Sequence, residues 1–233
     1  MNIKLSGVHF SYGSQPILKD VTTTIDSGTF ICLLGKNGAG KSTLFQLIAG
    51  HIKPSQGSIF IGDQDTTLIR ERDTANHFAV LPQGVSDPPY LNVRELVALG
   101  RFRASNGLGW RPSEADLEIA DKSLTRCEME HMSHRTFQQL SGGEKQRSWL
   151  AFCLAQEKEF LLLDESLHAL DFEARRTFFR LLSDLATEGR GILLTTHDMD
   201  LAEEFASRLL VLQDSTLGYD GPPPSDIRWR LTT

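Results

Sequence analysis

Eight residues constrain this chain more than any others: Gly35-Lys36-Asn37-Gly38-Ala39-Gly40-Lys41-Ser42. They follow Thr29-Phe30-Ile31-Cys32-Leu33-Leu34, an apolar run that reads as a buried strand stopped by glycine. They lead into a helix expected over 41–50, with Leu44, Leu47 and Ile48 on one face and Gly50 at its close. Strand, glycine-rich turn and helix in that order make a phosphate cradle. Glycines let backbone N–H groups curl around phosphate oxygens with no Cβ in the way. The helix that follows points its positive end at the same anion. Lys41 is placed to reach β- and γ-phosphates, and Ser42 to ligate Mg²⁺.

The rest of the chain supplies a sheet for that cradle. Strands are expected over 57–61, 77–81, 160–163, 191–195 and 209–212, with helices over 171–187 and 201–206. Such alternation predicts a largely parallel α/β sheet. Between 92 and 137 the pattern turns helical, with Val93, Leu96 and Val97, then Leu117, Ala120 and Leu124, at helical spacing around an Asn106–Gly109 loop. That section reads as a helical insertion, and Gly221-Pro222-Pro223-Pro224 as the start of an irregular tail.

Two further groups carry chemistry. Phe160-Leu161-Leu162-Leu163-Asp164-Glu165 puts two carboxylates at the carboxyl end of an apolar strand, where ligands of α/β sheets sit. Asp164 is placed to hold Mg²⁺ and Glu165 to orient and polarise an attacking water. Leu140-Ser141-Gly142-Gly143-Glu144 carries a capping box, with paired glycines that let a phosphate approach exposed N–H groups.

Taken together, the Gly35–Ser42 loop, Leu140–Glu144 and Leu161–Glu165 resemble a nucleotide-binding subunit of the ABC family, across nearly the whole chain. Leu-Ser-Gly-Gly-Glu is that family's signature. The resemblance implies one nucleotide-binding domain over 1–233 with the P-loop NTPase, ABC-type fold. A mostly parallel RecA-like core would carry an N-terminal antiparallel β subdomain and a helical subdomain inserted at about 84–157. It implies that ATP with Mg²⁺ is held by Gly35, Asn37, Gly38, Ala39, Gly40, Lys41, Ser42 and Thr43, with Tyr12 stacking on adenine. Gln83 would sense Mg²⁺ and water and couple to a membrane subunit. His197 would contact the γ-phosphate, and Asp171 would lie in the interface D-loop. A second copy would pair head to tail, bringing Ser141, Gly142, Gly143 and Glu144 onto the nucleotide. After Asp164-Glu165 the family usually has Pro-Thr; here Ser166-Leu167 frees φ and restores a backbone donor, which bears on the D-loop and not on the hydrolytic residues.

The stretch from Val93 to Arg101 resembles the corresponding segment in importers of iron–siderophore, haem and cobalamin complexes. The implied partners are membrane permeases and, through them, a substrate-binding protein, with the chain peripheral on the cytoplasmic side of the inner membrane. Importers of other nutrients, exporters and soluble ABC ATPases share the core motifs. A soluble ATPase of DNA repair or translation is disfavoured by the single cassette and the net charge of -6, which also argues against an electrostatic grip on nucleic acid. A hydrolytically dead cassette is opposed by Lys41, Asp164 and Glu165. No apolar run reaches the ~20 residues of a spanning helix, and no secretory leader is expected behind Met1. Three scattered cysteines fit a reducing compartment, and Cys127 with His131 and His134 lacks zinc-site spacing.

Overall fold

The computed structural model describes residues 1–68, 71–74, 76–102, 111–164 and 170–224. These divide into two compact units, one formed by residues 1–80, 159–164 and 179–224, the other by 81–158 and 170–178. No helix among the described residues is long and apolar enough to cross a membrane.

The first unit holds two sheets. β1 (Asn2–Tyr12) pairs antiparallel with β2 (Gln15–Asp26) and with β4 (Gln56–Ile61), and β5 (Gln64–Asp65) completes the order β2-β1-β4-β5. Ile3, Leu5 and Val8 of β1 are buried while Lys4 and Ser6 are exposed, the alternation of a sheet with one face on the core. The second sheet has the order β10-β9-β3-β8-β7-β6. In it, β3 (Phe30–Gly35) lies parallel between β8 (Gly191–Thr195) and β9 (Arg208–Gln213), and β7 (Phe160–Asp164) runs parallel to β8. Every residue of β3, β7 and β8 is buried, as expected of parallel strands covered on both faces. β6 (Phe78–Leu81) forms one edge.

The other edge, β10 (Thr216–Gly221), pairs antiparallel with β9 and was not anticipated from sequence. Its glycines and Asp220 read as turn, but only every second residue is shielded, and strand β9 provides the template. Asp220 also joins the sheets. It accepts from Thr23 of β2 at 2.7 Å and from Arg208 of β9 at 2.5 Å, while Arg208 donates to the Thr24 carbonyl at 2.7 Å. Helix α1 (Lys41–Ile48) contributes Leu44, Phe45, Leu47 and Ile48 to one apolar cluster with Ile3, Leu5, Ile31, Leu33, Leu162 and Leu210 from both sheets. Each such side chain is worth about 1.5–3 kcal/mol of burial. The cluster therefore fixes where α1 begins relative to the strands. A short α2 (Glu71–Thr74) and α7 (Met199–Phe205) complete this unit, together with the end of α6 (Phe172–Thr187).

The second unit is helical: α3 (Val93–Leu99), α4 (Glu114–Arg126), α5 (Gly142–Ala155) and the opening turns of α6. The loop expected at Asn106–Gly109 lies outside the described residues. Asn92 with Glu95, Ser113 with Asp116 and Ser141 with Glu144 form complete capping boxes on α3, α4 and α5. Arg94 grips Asp121 with two bonds of 2.6 and 2.7 Å, joining α3 to α4. Arg101 donates to the Ala155 carbonyl at 2.7 Å and pairs with Glu157 at 2.8 Å, fastening the end of α3 to the end of α5.

Candidate nucleotide site

Three chemically distinct features meet at the carboxyl ends of neighbouring parallel strands. In the register of the sheet, Leu33 of β3 stands opposite Thr195 of β8, and Thr195 stands opposite Asp164 of β7. Two residues past Leu33 lies Gly35, which opens the glycine turn into α1. Two residues past Thr195 lies His197. Adjacent strand ends therefore carry the glycine turn, the histidine and the carboxylate in one row, the place where α/β sheets bind ligands. Helix α1 packs on β3, β7 and β8, the same three strands.

The turn is shaped by its glycines. Gly35 has φ 154°, and a Cβ there would sit 2.7 Å from the Leu212 carbonyl oxygen. Gly40, the N-cap of α1, has φ 100°, and a Cβ would crowd Ile17 and Leu18 of β2 at 3.0–3.2 Å. A residue with a side chain is strained at both. The Lys41 ammonium donates to the carbonyls of Gly35 at 2.9 Å and Lys36 at 3.3 Å, so the lysine spans the loop it closes. Lys41 is only 6% exposed. A buried cation aimed along a glycine turn favours an anionic ligand, since its charge is poorly screened there. Asn37, Gly38 and Ala39 form the turn between, and Ala39 donates to the Lys36 carbonyl at 3.1 Å. At the helix start Ser42 is exposed and Thr43 is buried.

Asp164 is 7% exposed, and its Oδ1 accepts from the Thr195 hydroxyl at 2.5 Å. His197 is exposed on the turn after β8. Thr196 shapes that turn: its N–H donates to the Leu33 carbonyl at 3.3 Å, and its hydroxyl accepts from the Asp198 N–H at 3.1 Å. Neither threonine was singled out from sequence. The available signal is a hydroxyl ending an otherwise apolar strand, Ile192-Leu193-Leu194-Thr195. Tyr12 ends β1 at 54% exposure, edge-on to Phe10 with ring centroids 4.9 Å apart. At that exposure the side chain is open to a partner from outside the strand. Glu165, with Ser166 and Leu167, lies outside the described residues.

The remaining sequence-selected residues belong to the helical unit. Gln83 is exposed two residues beyond β6. Ser141 caps α5, its hydroxyl accepting from the Glu144 N–H at 3.4 Å and Glu144 accepting from the Ser141 N–H at 2.7 Å. That reciprocal bond holds the Glu144 carboxyl below the usual carboxylate range. Gly142 and Gly143 form the first turn, with Gly143 against Leu170. Asp171 accepts from the Ala174 N–H at 2.8 Å and so caps α6, a structural duty the sequence reading did not assign to it. Asp87, four residues past Gln83, pairs with Lys145 of α5 at 2.6 Å.

The donor types suit Mg²⁺. The Ser42 hydroxyl and the Asp164 carboxylate are hard oxygen donors, few enough to leave room for phosphate oxygens and water. Cysteine chemistry is not part of the site. Cys32, Cys127 and Cys153 are buried and unbridged, and burial pushes the Cys153 thiol up to about 12. Such thiols are poor nucleophiles at neutral pH.

A glycine cradle, a closing lysine, a strand-end carboxylate and a Ser-Gly-Gly-Glu helix start form one combination, and residues 18–168 match the family model described as "ABC transporter". The chain belongs to the ABC transporter family. It is 34% identical to the probable siderophore transport system ATP-binding protein YusV of Bacillus subtilis, over 95% of this chain and 80% of that protein. It is also 34% identical to the hemin import ATP-binding protein HmuV of Bordetella bronchiseptica, over 96% of this chain and 87% of the other. Among solved structures it resembles the dimeric ATP-binding cassette MJ0796 bound to ADP and Pi. The TM-score is 0.81 at 26% identity, covering 96% of this chain and all of that one. As an ABC ATP-binding subunit it is an ATPase whose hydrolysis is coupled to transport. The α/β core, antiparallel sheet and helical part expected from sequence are those of an ABC-type ATPase.

Proposed function

We propose that this chain powers the import of metal chelates, iron–siderophore, haem or cobalamin complexes, through a membrane permease. The observation that carries the ATPase chemistry is the row Leu33–Thr195–Asp164, which fixes phosphate loop, histidine turn and carboxylate on adjacent strand ends. The chelate class is supported by the siderophore and hemin relatives and by the likeness of the Val93–Arg101 stretch.

In this reading the backbone of Gly35 to Thr43 cradles the phosphates, Lys41 pairs with the β- and γ-phosphates, and Tyr12 stacks on adenine. Ser42, Asp164 and Gln83 hold Mg²⁺, which when bound neutralises charge developing on the phosphates. Glu165 accepts the proton of the attacking water, and His197 holds the γ-phosphate. A second copy of the chain, head to tail, adds Ser141 to Glu144 to the same nucleotide, with Asp171 near the interface. Binding closes the pair, and loss of the γ-phosphate loosens it.

The permease docks on the helical unit. Just beyond Gln83 the chain exposes Tyr90 at 93%, held at φ 64°. Leu99 and Phe102 are also exposed. Between them α3 and α4 enclose a pocket of about 390 Å³ lined by Leu91, Ala98, Leu99 and Leu117 with Asn92 and His134. Exposed apolar groups beside a pocket mark an interaction surface. The chain is then peripheral on the cytoplasmic face of the plasma membrane, and a substrate-binding protein delivers the chelate from outside.

The test is uptake. Vesicles holding the chain with its permease should accumulate radiolabelled iron–siderophore only with ATP inside the compartment that the chain faces, and Glu165→Gln should abolish uptake. Full ATP hydrolysis with no membrane protein co-purifying, and no uptake of any chelate, would favour a soluble ATPase instead.

A further inference from the structure

We infer that Thr195 is a positioning residue for the metal carboxylate Asp164, setting which of its oxygens meets the Mg²⁺ that accompanies ATP. The inference rests on the reading of Asp164 as a metal ligand. Thr195 is wholly buried at the end of β8, following Gly191-Ile192-Leu193-Leu194, a run with no other side-chain hydroxyl. A residue at that depth is ordinarily apolar, because an unbonded hydroxyl there is costly. Here the hydroxyl donates to Oδ1 of Asp164 at 2.5 Å. The two residues are direct partners in the parallel register of β7 and β8, so the sheet itself sets the approach. Threonine is stiff about χ1, so the donor stays where the strand puts it.

Three consequences follow from this placement. Asp164 is almost fully shielded, and a polar side chain at that depth needs a hydrogen-bond partner. The bond from Thr195 occupies one lone pair of Oδ1 and so favours Oδ2 as the oxygen offered to a cation or its water. Thr195 is also the register partner of Leu33, and the next residue, Thr196, bonds the Leu33 carbonyl. The carboxylate is therefore oriented relative to the strand that leads into the phosphate loop, not only within its own strand. Metal ligands are tuned in this way by the groups that hydrogen-bond them.

The test uses the full chain and Mn²⁺ as a spectroscopic stand-in for Mg²⁺. Mn²⁺ binding in the presence of ATP is read by electron paramagnetic resonance, and ATP binding in excess EDTA is read separately. Thr195→Val keeps the shape and removes the donor. It should weaken Mn²⁺ binding about tenfold or more, the usual effect of losing such a partner, with ATP affinity in EDTA unchanged. Thr195→Ser, which keeps the hydroxyl, should restore Mn²⁺ affinity. Native Mn²⁺ affinity in Thr195→Val overturns the inference, as does an equal loss of metal-free ATP binding, which would mean general damage to the loop. Should the valine variant not fold, Thr195→Cys against Thr195→Ser decides, since a thiol is a weak donor of similar size. Equal Mn²⁺ affinity in those two overturns it. Asp164→Asn separates the levels: if it leaves Mn²⁺ binding intact, the metal reading of Asp164 itself fails. If it abolishes binding while Thr195→Val does not, only the role of Thr195 fails.

Discussion

The starts of α1 and α5 are both glycine-rich, and both are read as meeting phosphate, yet they are finished in opposite ways. Helix α1 begins at Gly40 in a left-handed conformation, with no side-chain cap and no acidic residue in its first turn. Helix α5 begins at Ser141 with a complete capping box and Glu144 in its first turn. The N–H groups of a first helical turn need acceptors. At α5 the chain supplies one from the Ser141 side chain, to the Glu144 N–H, and Glu144 in turn accepts from the Ser141 N–H. At α1 it supplies none from a cap, and it places the buried Lys41 beside the opening instead. One end thus relies on a ligand for its acceptors, and the other carries a cap of its own beside its paired glycines. This asymmetry fits a site in which α1 binds nucleotide first and α5 of another copy joins it afterwards.

The largest test of the contrast removes the charge at α1. Lys41→Ala should lower ATP hydrolysis by about 100-fold or more, the scale of losing a preorganised electrostatic partner of a transition state. A near-native rate would mean that α1 is not the primary phosphate site. The next test strikes α5 alone. Ser141→Arg puts a long cation at the second helix start, so hydrolysis should collapse while ATP binding to the single chain, read by fluorescent-nucleotide titration, stays native. Loss of binding as well would erase the distinction between the two ends.

Smaller effects sharpen the same comparison. Gly35→Ala adds a Cβ 2.7 Å from the Leu212 carbonyl oxygen at a φ of 154°, and should cost about 1–3 kcal/mol of stability in denaturant unfolding. Native stability there would show that the α1 turn tolerates ordinary residues. Glu144→Gln keeps the reciprocal cap and removes its charge. Because Glu144 is partly open to solvent, screening limits the effect to a few tenths of a kcal/mol. The sign is fixed by the lowered carboxyl: the charged form contributes stability above the unfolded value of about 4.3, and the contribution fades as pH falls through the folded value. The difference between native chain and variant, followed by urea unfolding across pH, should therefore shrink with acidification below that point. A difference that grew on acidification would contradict the cap.

Legibility in the sequence followed the range of the interactions. The Gly35–Ser42 turn and the Ser141–Glu144 cap are local chemistry at fixed spacing, so their residues announce themselves. The buried strands β3, β7 and β8 were visible as unbroken apolar runs. Thr195 and Asp164 meet across 31 residues, and only the strand register reveals the pairing. Strand β10 was missed because Gly218, Asp220 and Gly221 suggest turn locally, while its pairing with β9 and the Arg208–Asp220 bond stabilise it as strand. Asp171 was read through resemblance as an interface residue, and its capping of α6 emerged only from the geometry. Apart from that local cap, what escaped the sequence depends on strands being neighbours.

If α1 of one copy and α5 of another share a nucleotide, sedimentation of the Glu165→Gln chain with ATP and Mg²⁺ will show it. The chain should be a monomer without nucleotide and a dimer with it, and should return to monomer when Ser141→Arg is added. A nucleotide-saturated chain that sediments as a monomer across the whole range of protein concentration, with or without its permease, would contradict it.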